Sequence, residues 1–338
     1  MNSAASGTKV KALALVSSGL DSLLAARIMQ SLGIDVLGVH FSFRFNPLLE
    51  DPETRLTRLF KPFGIPVRVV DISEDFLKMV LKPEHGYGKG VNPCIDCKIF
   101  MFRRAKALME ETGARFLVTG EVPGQRPMSQ MKPILFHIEK QGGLHGLVVR
   151  PLGALGLPES IPEREGWIDR GRLYGIQGRS RKEQLVLAEK FGIRNFPQPA
   201  GGCILTDPQY AARARILFKN RGRAEIRTED MQLLRLGRHF WPGPGLHVIV
   251  GRDLDDNTVM ESFRAGRWCF EAAGMEGPLV LADGIAGEED IRLVAGITAR
   301  YMGKKKEGPF RIVFQGPGRS GEIEAGRLDE RLVASWQV

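Results

Sequence analysis

No run of about 18 apolar residues occurs in the 338-residue chain, so no segment reads as a membrane span. Cysteine is scarce, with four residues: Cys94, Cys97, Cys203 and Cys269. So few thiols in a chain of this length exclude a disulfide framework. They leave metal or redox chemistry as the use for Cys94-Ile95-Asp96-Cys97. Residues 1–9 are small and polar and lack the apolar stretch of a signal peptide, so residues 1–8 are read as a disordered tail of a cytoplasmic protein. Internal repeats and low-complexity segments are lacking too. Acidic residues fall short of basic ones, 39 against 48, and the net charge of +9 favours a polyanionic partner, nucleic acid first. What remains is an ordinary globular mix, 43% hydrophobic and 26% charged, in a length that suits about two domains.

Residues 9–16 run into the apolar stretch Ala12-Leu13-Ala14-Leu15-Val16 and are predicted as a buried strand. A polar loop follows, then Leu24, Ile28 and Leu32 at helical spacing up to Gly33, and a second strand over 34–43. This strand–loop–helix–strand order predicts an α/β domain, a parallel sheet with helices on both faces. Further strands are expected at 66–71 and 115–119, and helices at 99–111 and 181–191. Residues 133–139 and 144–149 flank Gln141-Gly142-Gly143 and read as a hairpin. Residues 153–178, rich in glycine, proline and charge, read as an insertion outside the core. Beyond about Leu217 the pattern changes to short strands, at 246–250, 279–282 and 310–314, with a helix at 291–301. The expected organisation is an α/β domain over 9–221 and a smaller α+β domain over 222–338.

Ser17-Ser18-Gly19-Leu20-Asp21-Ser22 lies between the first strand and the first helix. Backbone N–H groups are free at a helix start and its dipole favours negative charge, so the loop suits a phosphate. Ser17, Ser18 and Ser22 add hydroxyls, Gly19 lets the backbone approach closely, and Asp21 would position Mg²⁺ or a nucleotide. The loop has no lysine, which excludes the G-x-x-x-x-G-K-[ST] type. It resembles the S-G-G-x-D-S loop of the PP-loop ATP pyrophosphatases, with Ser18 where glycine is usual. That resemblance implies an adenine nucleotide α-hydrolase-like fold and a reaction that splits ATP into AMP and pyrophosphate while adenylating an oxygen.

Cys94 and Cys97 precede a predicted helix, and Cys203 follows Gly201-Gly202. Three uses stay open on the residues alone. A closed zinc site normally takes four ligands. A redox pair would cycle through a disulfide in persulfide chemistry. A [4Fe-4S] cluster normally takes four cysteines, so three would leave one iron open to sulfide. The three-cysteine pattern beside a PP-loop is similar to that of cluster-dependent tRNA thiolation enzymes. The resemblance favours a [4Fe-4S] cluster on Cys94, Cys97 and Cys203, with Zn²⁺ as the weaker alternative. It implies catalytic roles for Asp21, Cys97 and Cys203. Cys269 is expected to pack in the second domain.

Thr119-Gly120-Glu121-Val122-Pro123-Gly124-Gln125, with Ser129-Gln130, resembles the T-G-E-x-x-G-Q-x-x-S-Q stretch of tRNA 4-thiouridine synthetases. Val149-Arg150-Pro151-Leu152 resembles their L-R-P-L segment. The resemblance implies nucleotide contacts from Gly120, Gln125 and Arg150, whose guanidinium fork suits phosphate. The plain alternative for Arg150 is a surface ion pair. Gly178-Arg179-Ser180-Arg181-Lys182 and the segment 199–207 look like signatures of a PP-loop subgroup, and the likeness covers about 9–215. Arg179, Arg181 and Lys182 read equally well as tRNA contacts or as a solvated helix start. The N-terminal RNA-binding module and the sulfurtransferase domain of 4-thiouridine synthetases are not expected here, which leaves the modified tRNA position open.

Gly251-Arg252 with Asn257 resembles the G-R-x-x-x-x-N motif of the RNA-binding domain of NFACT-type ribosome-rescue proteins. That implies phosphate contacts from Arg252, Lys304, Lys305, Lys306, Arg311, Arg319 and Arg327, with His239, Phe240 and Trp241 either stacking on bases or forming core. The sequence therefore predicts ATP-dependent thiolation of a tRNA uridine. The expected partners are tRNA and a sulfur donor, either sulfide or a cysteine-desulfurase-derived persulfide; a homodimer stays open. Two rivals stand: sulfur transfer to a small molecule or carrier protein, and a non-catalytic RNA-binding protein with a decayed loop.

Overall fold

Lys11-Ala12-Leu13-Ala14-Leu15 carries no polar side chain after its first residue, and it forms β1 (Lys11–Leu15), the central strand of a parallel sheet. The computed structural model describes residues 9–126, 128–196, 202–303 and 308–338. The chain forms two units. One takes residues up to Phe43, then Leu48–Gly88 and Asn92–Gly202; the other takes Arg44–Pro47, Lys89–Val91 and Cys203–Val338.

In the first unit the elements run β1, α1 (Leu20–Ser31), β2 (Asp35–Ser42), α2 (Pro52–Phe60), β3 (Val67–Asp71), α3 (Ser73–Leu81), α4 (Cys94–Thr112), β4 (Phe116–Val118), α5 (Lys132–Gln141), β5 (Val148–Val149), α6 (Ile161–Arg164) and α7 (Lys182–Lys190). The strand order is β3-β2-β1-β4-β5, with every pairing parallel. The order reverses between β1 and β4. Open α/β sheets bind ligands beyond the carboxyl ends of the strands at such a reversal. Those ends carry the 17–22 loop and the segment beginning at Thr119. Leu20, Leu23, Leu24 and Ile28 of α1 pack on Ala12, Ala14, Phe116 and Val118 of the sheet, so apolar burial fixes the helix start against the strand end.

Two expectations fail in this unit. Residues 133–139 are not a strand but the body of α5, with Pro133 in its first turn and Leu135, Ile138 and Glu139 buried at helical spacing. Gly142 caps that helix and Gly143 takes φ +70°, so the glycines stop a helix rather than turn a hairpin. Residues 153–178 are not an insertion outside the core, because Ala154, Ile168, Leu173 and Ile176 belong to the main apolar cluster. Their apolar residues are spread among short turns, so no period marks them as core.

The second unit contains α8 (Pro208–Asn220), α9 (Thr228–Leu233), β6 (Arg238–Gly243), β7 (Leu246–Val250), α10 (Leu254–Glu261), β8 (Trp268–Ala272), β9 (Val280–Asp283), α11 (Glu288–Arg300), β10 (Phe310–Gly316), β11 (Arg319–Ala325) and α12 (Glu330–Ser335). Its strands make an antiparallel sheet in the order β11-β10-β8-β9-β7-β6. Phe310, Ile312 and Phe314 alternate inward along β10 and meet Ile291, Val294 and Ile297 of α11. α8 belongs here because Tyr210 donates to the Met231 carbonyl (2.8 Å) and Arg213 to the Leu234 and Gly237 carbonyls (2.8 and 3.2 Å). The division therefore falls after Gly202, upstream of the 221/222 boundary drawn from composition. Among the described residues no helix is long and apolar enough to cross a membrane.

Candidate functional site

The 17–22 loop is braced from inside by Ser22. Its Oγ accepts from the Ser17 N–H (3.0 Å) and lies within donating reach of the Ser17 and Gly19 carbonyls (3.1 and 2.9 Å). Ser17 Oγ accepts from the Gly19 N–H (3.1 Å). Ser22 is buried while Ser17 and Gly19 are exposed, so the loop presents Ser17, Ser18 and Gly19 outward and keeps Ser22 as its pin. Ser18 strains nothing, because no non-glycine residue described has positive φ. Asp21 accepts from Gln125 Nε2 at 3.1 Å through Oδ2. Its Oδ1 is buried and has no hydrogen bond among the described residues. An oxygen left unpaired this way fits a hard cation or a nucleotide hydroxyl.

The turn after β4 comes up against this loop. A β-carbon on Gly120 would lie 2.5 Å from the Asp21 carbonyl carbon and 2.6 Å from the Ser22 nitrogen, so Gly120 acts by close approach to the start of α1. Gly124 takes φ +77° and its N–H donates to the Gln130 carbonyl (2.8 Å), which turns Gln125 back towards Asp21. Glu121 is buried between cations. Arg150 Nε lies 3.1 Å from Oε2, Lys98 Nζ lies 3.2 Å from Oε1, and Thr119 Oγ1 donates to Oε2 (3.1 Å). Burial alone would raise its pKa, but Lys98 and Arg150 outweigh burial and hold it at about 2. Arg150, expected either at phosphates or at the surface, is instead 3% exposed, with Nη1 on Glu139 as well. Its charge is shared between two buried carboxylates that tie β4, β5 and α5 together.

Lys98 follows Cys97 at the start of the second turn of α4, so its contact with Glu121 sets the C-x-x-C end of the helix beside the 120–125 turn. Cys94 and Cys97, both half-buried, occupy i and i+3 of that helix and share a face. Asn92 Nδ2 donates to Cys94 Sγ (3.1 Å), and the Cys97 N–H donates to the Pro93 carbonyl (2.8 Å). Two neighbouring thiols suit a thiophilic ion or cluster. Cys203 is half-buried in the second unit, at the start of a short turn where its carbonyl accepts from Thr206 N–H and Oγ1 (2.8 and 2.7 Å). Residues 197–201, part of the motif that leads to it, lie outside the described residues. Cys269 is buried in the second unit beside Met260 and Leu281.

The Gly178 N–H donates to the Pro123 carbonyl (2.8 Å), so the basic segment Arg179–Lys182 starts next to the 120–125 turn. Among the described residues Arg179, Arg181 and Lys182 have no carboxylate partner. Three RNA-contact candidates of the second unit, Arg252, Arg311 and Arg319, are otherwise engaged. Arg252 forks onto Asp256 (Nε–Oδ2 2.5 Å, Nη2–Oδ1 2.8 Å), and Asn257 Oδ1 accepts from the Leu279 N–H (3.1 Å), so these motif residues hold the start of α10 onto β9. Arg311 pairs with Glu322, and Arg319 with Glu288. His239 and Phe240 are fully buried, which removes them as stacking platforms, while Trp241 stacks on His247 at 3.9 Å. Lys304, Lys305 and Lys306, like residues 1–8, lie outside the described residues. Sequence reasoning passed over Lys98 and the roles of Glu121 and Asp96. The signal was available in the lysine next to Cys97 and the acid inside the C-x-x-C.

Residues 7–157 match the family model described as "Thiamine biosynthesis protein (ThiI)". The match spans less than half of the chain and covers the 17–22 loop, the C-x-x-C and the 120–125 turn. Residues 237–337 match the "NFACT protein RNA binding domain". The chain is thus similar to one family in its first part and to another in its last. A probable tRNA sulfurtransferase of Thermococcus kodakarensis is 31% identical over 156 residues, 46% of this chain and 40% of that protein. The tRNA-specific 2-thiouridylase MnmA of Syntrophotalea carbinolica is 34% identical over 117 residues, 32% of this chain and 33% of that protein. The chain therefore spans well under half of these relatives. A crystal structure of a 4-thiouridine synthetase–RNA complex with bound ATP aligns at TM-score 0.39 and 25% identity, over 54% of this chain and 41% of that one.

Proposed function

We propose that the protein is an ATP-dependent tRNA sulfurtransferase. The observation that carries this reading is the convergence of the 17–22 loop, the 120–125 turn and the start of α4 at the sheet's reversal point, joined by Gln125–Asp21 and Lys98–Glu121. The ThiI-type domain match and the tRNA-modifying relatives support the same assignment.

ATP would lay its pyrophosphate against the exposed backbone of Ser17, Ser18 and Gly19 at the start of α1. The free carboxylate oxygen of Asp21 would hold Mg²⁺, which neutralises phosphate charge when bound. A uridine carbonyl oxygen attacks the α-phosphate, the P–O bond to pyrophosphate breaks, and the uridine carries AMP as a good leaving group. Gln125 and the loop's N–H groups stabilise the charge that develops. Sulfide adds to that carbon and AMP departs. If the donor is instead a persulfide on Cys97 or Cys203, its outer sulfur bonds to the carbon as AMP departs; a second cysteine thiolate then breaks the S–S bond, and the protein disulfide so formed is reduced by an external thiol. A [4Fe-4S] cluster on Cys94, Cys97 and Cys203, with Zn²⁺ the weaker alternative, would supply an open position for sulfide. Arg179, Arg181 and Lys182, next to the 120–125 turn, would take tRNA phosphates, and Lys304, Lys305 and Lys306 of the NFACT-type domain would add more. Arg150 serves as a buried brace of the site, and Arg252 as a brace of the second unit. We place the division between the two domains after Gly202.

The test is to replace Cys94, Cys97 and Cys203 singly by alanine. Each variant should lose tRNA thiolation while pyrophosphate release persists at least in part. Full thiolation in all three would remove the cysteines from the chemistry. Transfer of labelled sulfur to a small molecule or carrier protein, with tRNA left unlabelled, would favour the rival substrate class.

A further inference from the structure

Asp96 lies inside the C-x-x-C motif, and its carboxylate is taken up by the turn at Glu84-His85. It is 7% exposed and accepts from the Glu84 N–H (3.2 Å), the His85 N–H (3.0 Å) and His85 Nδ1 (2.9 Å). An ionised carboxylate is acceptor-only, so Nδ1 of His85 carries the proton and Nε2 is left with a lone pair. That lone pair faces a second imidazole. His85 Nε2 and His137 Nε2, the latter on α5, are 3.1 Å apart, with the rings crossing at 79°. Two nitrogens bound to one tetrahedral Zn²⁺ at about 2.0–2.1 Å lie roughly 3.3 Å apart, so the pair is already near ligand spacing. Glu84 adds negative charge on the His85 side: one ligand atom each of Glu84, His85 and Asp96 lies within 4.8 Å of the others. Glu84 and His85 are exposed, which leaves room for water to complete the shell.

We propose that His85 and His137 bind a divalent transition-metal ion of the zinc class through their Nε2 atoms, with Asp96 fixing the His85 tautomer and water completing the shell. A carboxylate behind a ligating histidine is the usual outer support of such sites. The ion would link α5 to the turn at Glu84-His85 and, through Asp96, to the helix start that presents Cys94 and Cys97. The site is separate from the cysteine ligands and its occupancy does not depend on the thiolation reading.

The experiment uses the full chain, chelator-stripped, in a Cys94→Ser/Cys97→Ser/Cys203→Ser background so that the candidate ligand thiolates contribute nothing; Cys269 is buried. Co²⁺ is titrated and read by its visible absorption, with Zn²⁺ as competitor. The site predicts one bound Co²⁺ with tetrahedral or five-coordinate bands and no sulfur charge-transfer band. His137→Gln, at a half-exposed position, should abolish it, and Asp96→Asn should weaken it by about 10–100-fold. Circular dichroism of each variant checks folding. No stoichiometric binding in this triple-serine background, where only the buried Cys269 keeps a thiol, or binding unchanged in both His85→Gln and His137→Gln, would overturn the proposal.

Discussion

A β-carbon at Gly120 would meet backbone atoms of Asp21 and Ser22 at 2.5–2.6 Å, and backbone cannot swing aside as a side chain can. Gly120→Ala should therefore push the start of α1 off the end of β4. We expect it to cost about 1–3 kcal/mol in unfolding free energy and to lower ATP turnover, read by denaturant titration and pyrophosphate release. Wild-type turnover would show that the approach of these two segments does not matter. The same scale shows what a motif leaves unsaid. Ser22 and Arg150 stand in stretches that resemble nucleotide-binding motifs, yet one pins its own loop and the other lies between Glu121 and Glu139. Residue type and spacing made their neighbourhood legible. Their partners come from elements far apart in the chain, which spacing cannot disclose.

Elements were readable where a period was clean. β1, α1, β2 and α4 follow from apolar runs or helical spacing ended by Gly33 and Gly113, both at positive φ. α5 was misread because Pro133-Ile134-Leu135-Phe136 is an apolar run too short to separate strand from helix, and the following glycines suit a turn as well as a cap. In the second unit β6 and β7 bring His239 and His247 together, Nδ1 to Nε2 at 2.9 Å, both buried. Burial pushes the His239 pKa well below 6.5, aided by His247 and Arg213; burial does the same to His247, aided by Arg221, Arg267 and Arg213. A base whose folded pKa is depressed gives stability that is complete above its unfolded pKa and is lost as pH falls below it. The second unit should thus weaken as pH drops below about 6.5, with a change in the fluorescence of Trp241, which stacks on His247. A stability profile flat from pH 7 to pH 5 would contradict this.

At the scale of the molecule, the net charge of +9 overstates the cation available to RNA. Arg252, Arg311 and Arg319 each face a carboxylate, whereas Arg179, Arg181 and Lys182 have none among the described residues. The two-part architecture was legible from the change in pattern along the chain; the place of α8 was not, because its allegiance rests on Tyr210 and Arg213 reaching carbonyls near residues 231–237. The central claim is that ATP cleavage and sulfur insertion occur on a tRNA. Its most direct test is one reaction: anaerobically prepared full-length protein with ATP, sulfide and unmodified tRNA, followed by nucleoside mass spectrometry and AMP assay. The account predicts a sulfur-for-oxygen mass shift on a uridine that requires ATP, with AMP and thiouridine formed in equal amounts. AMP production with no change in the tRNA nucleosides, or thiolation without ATP, would contradict it.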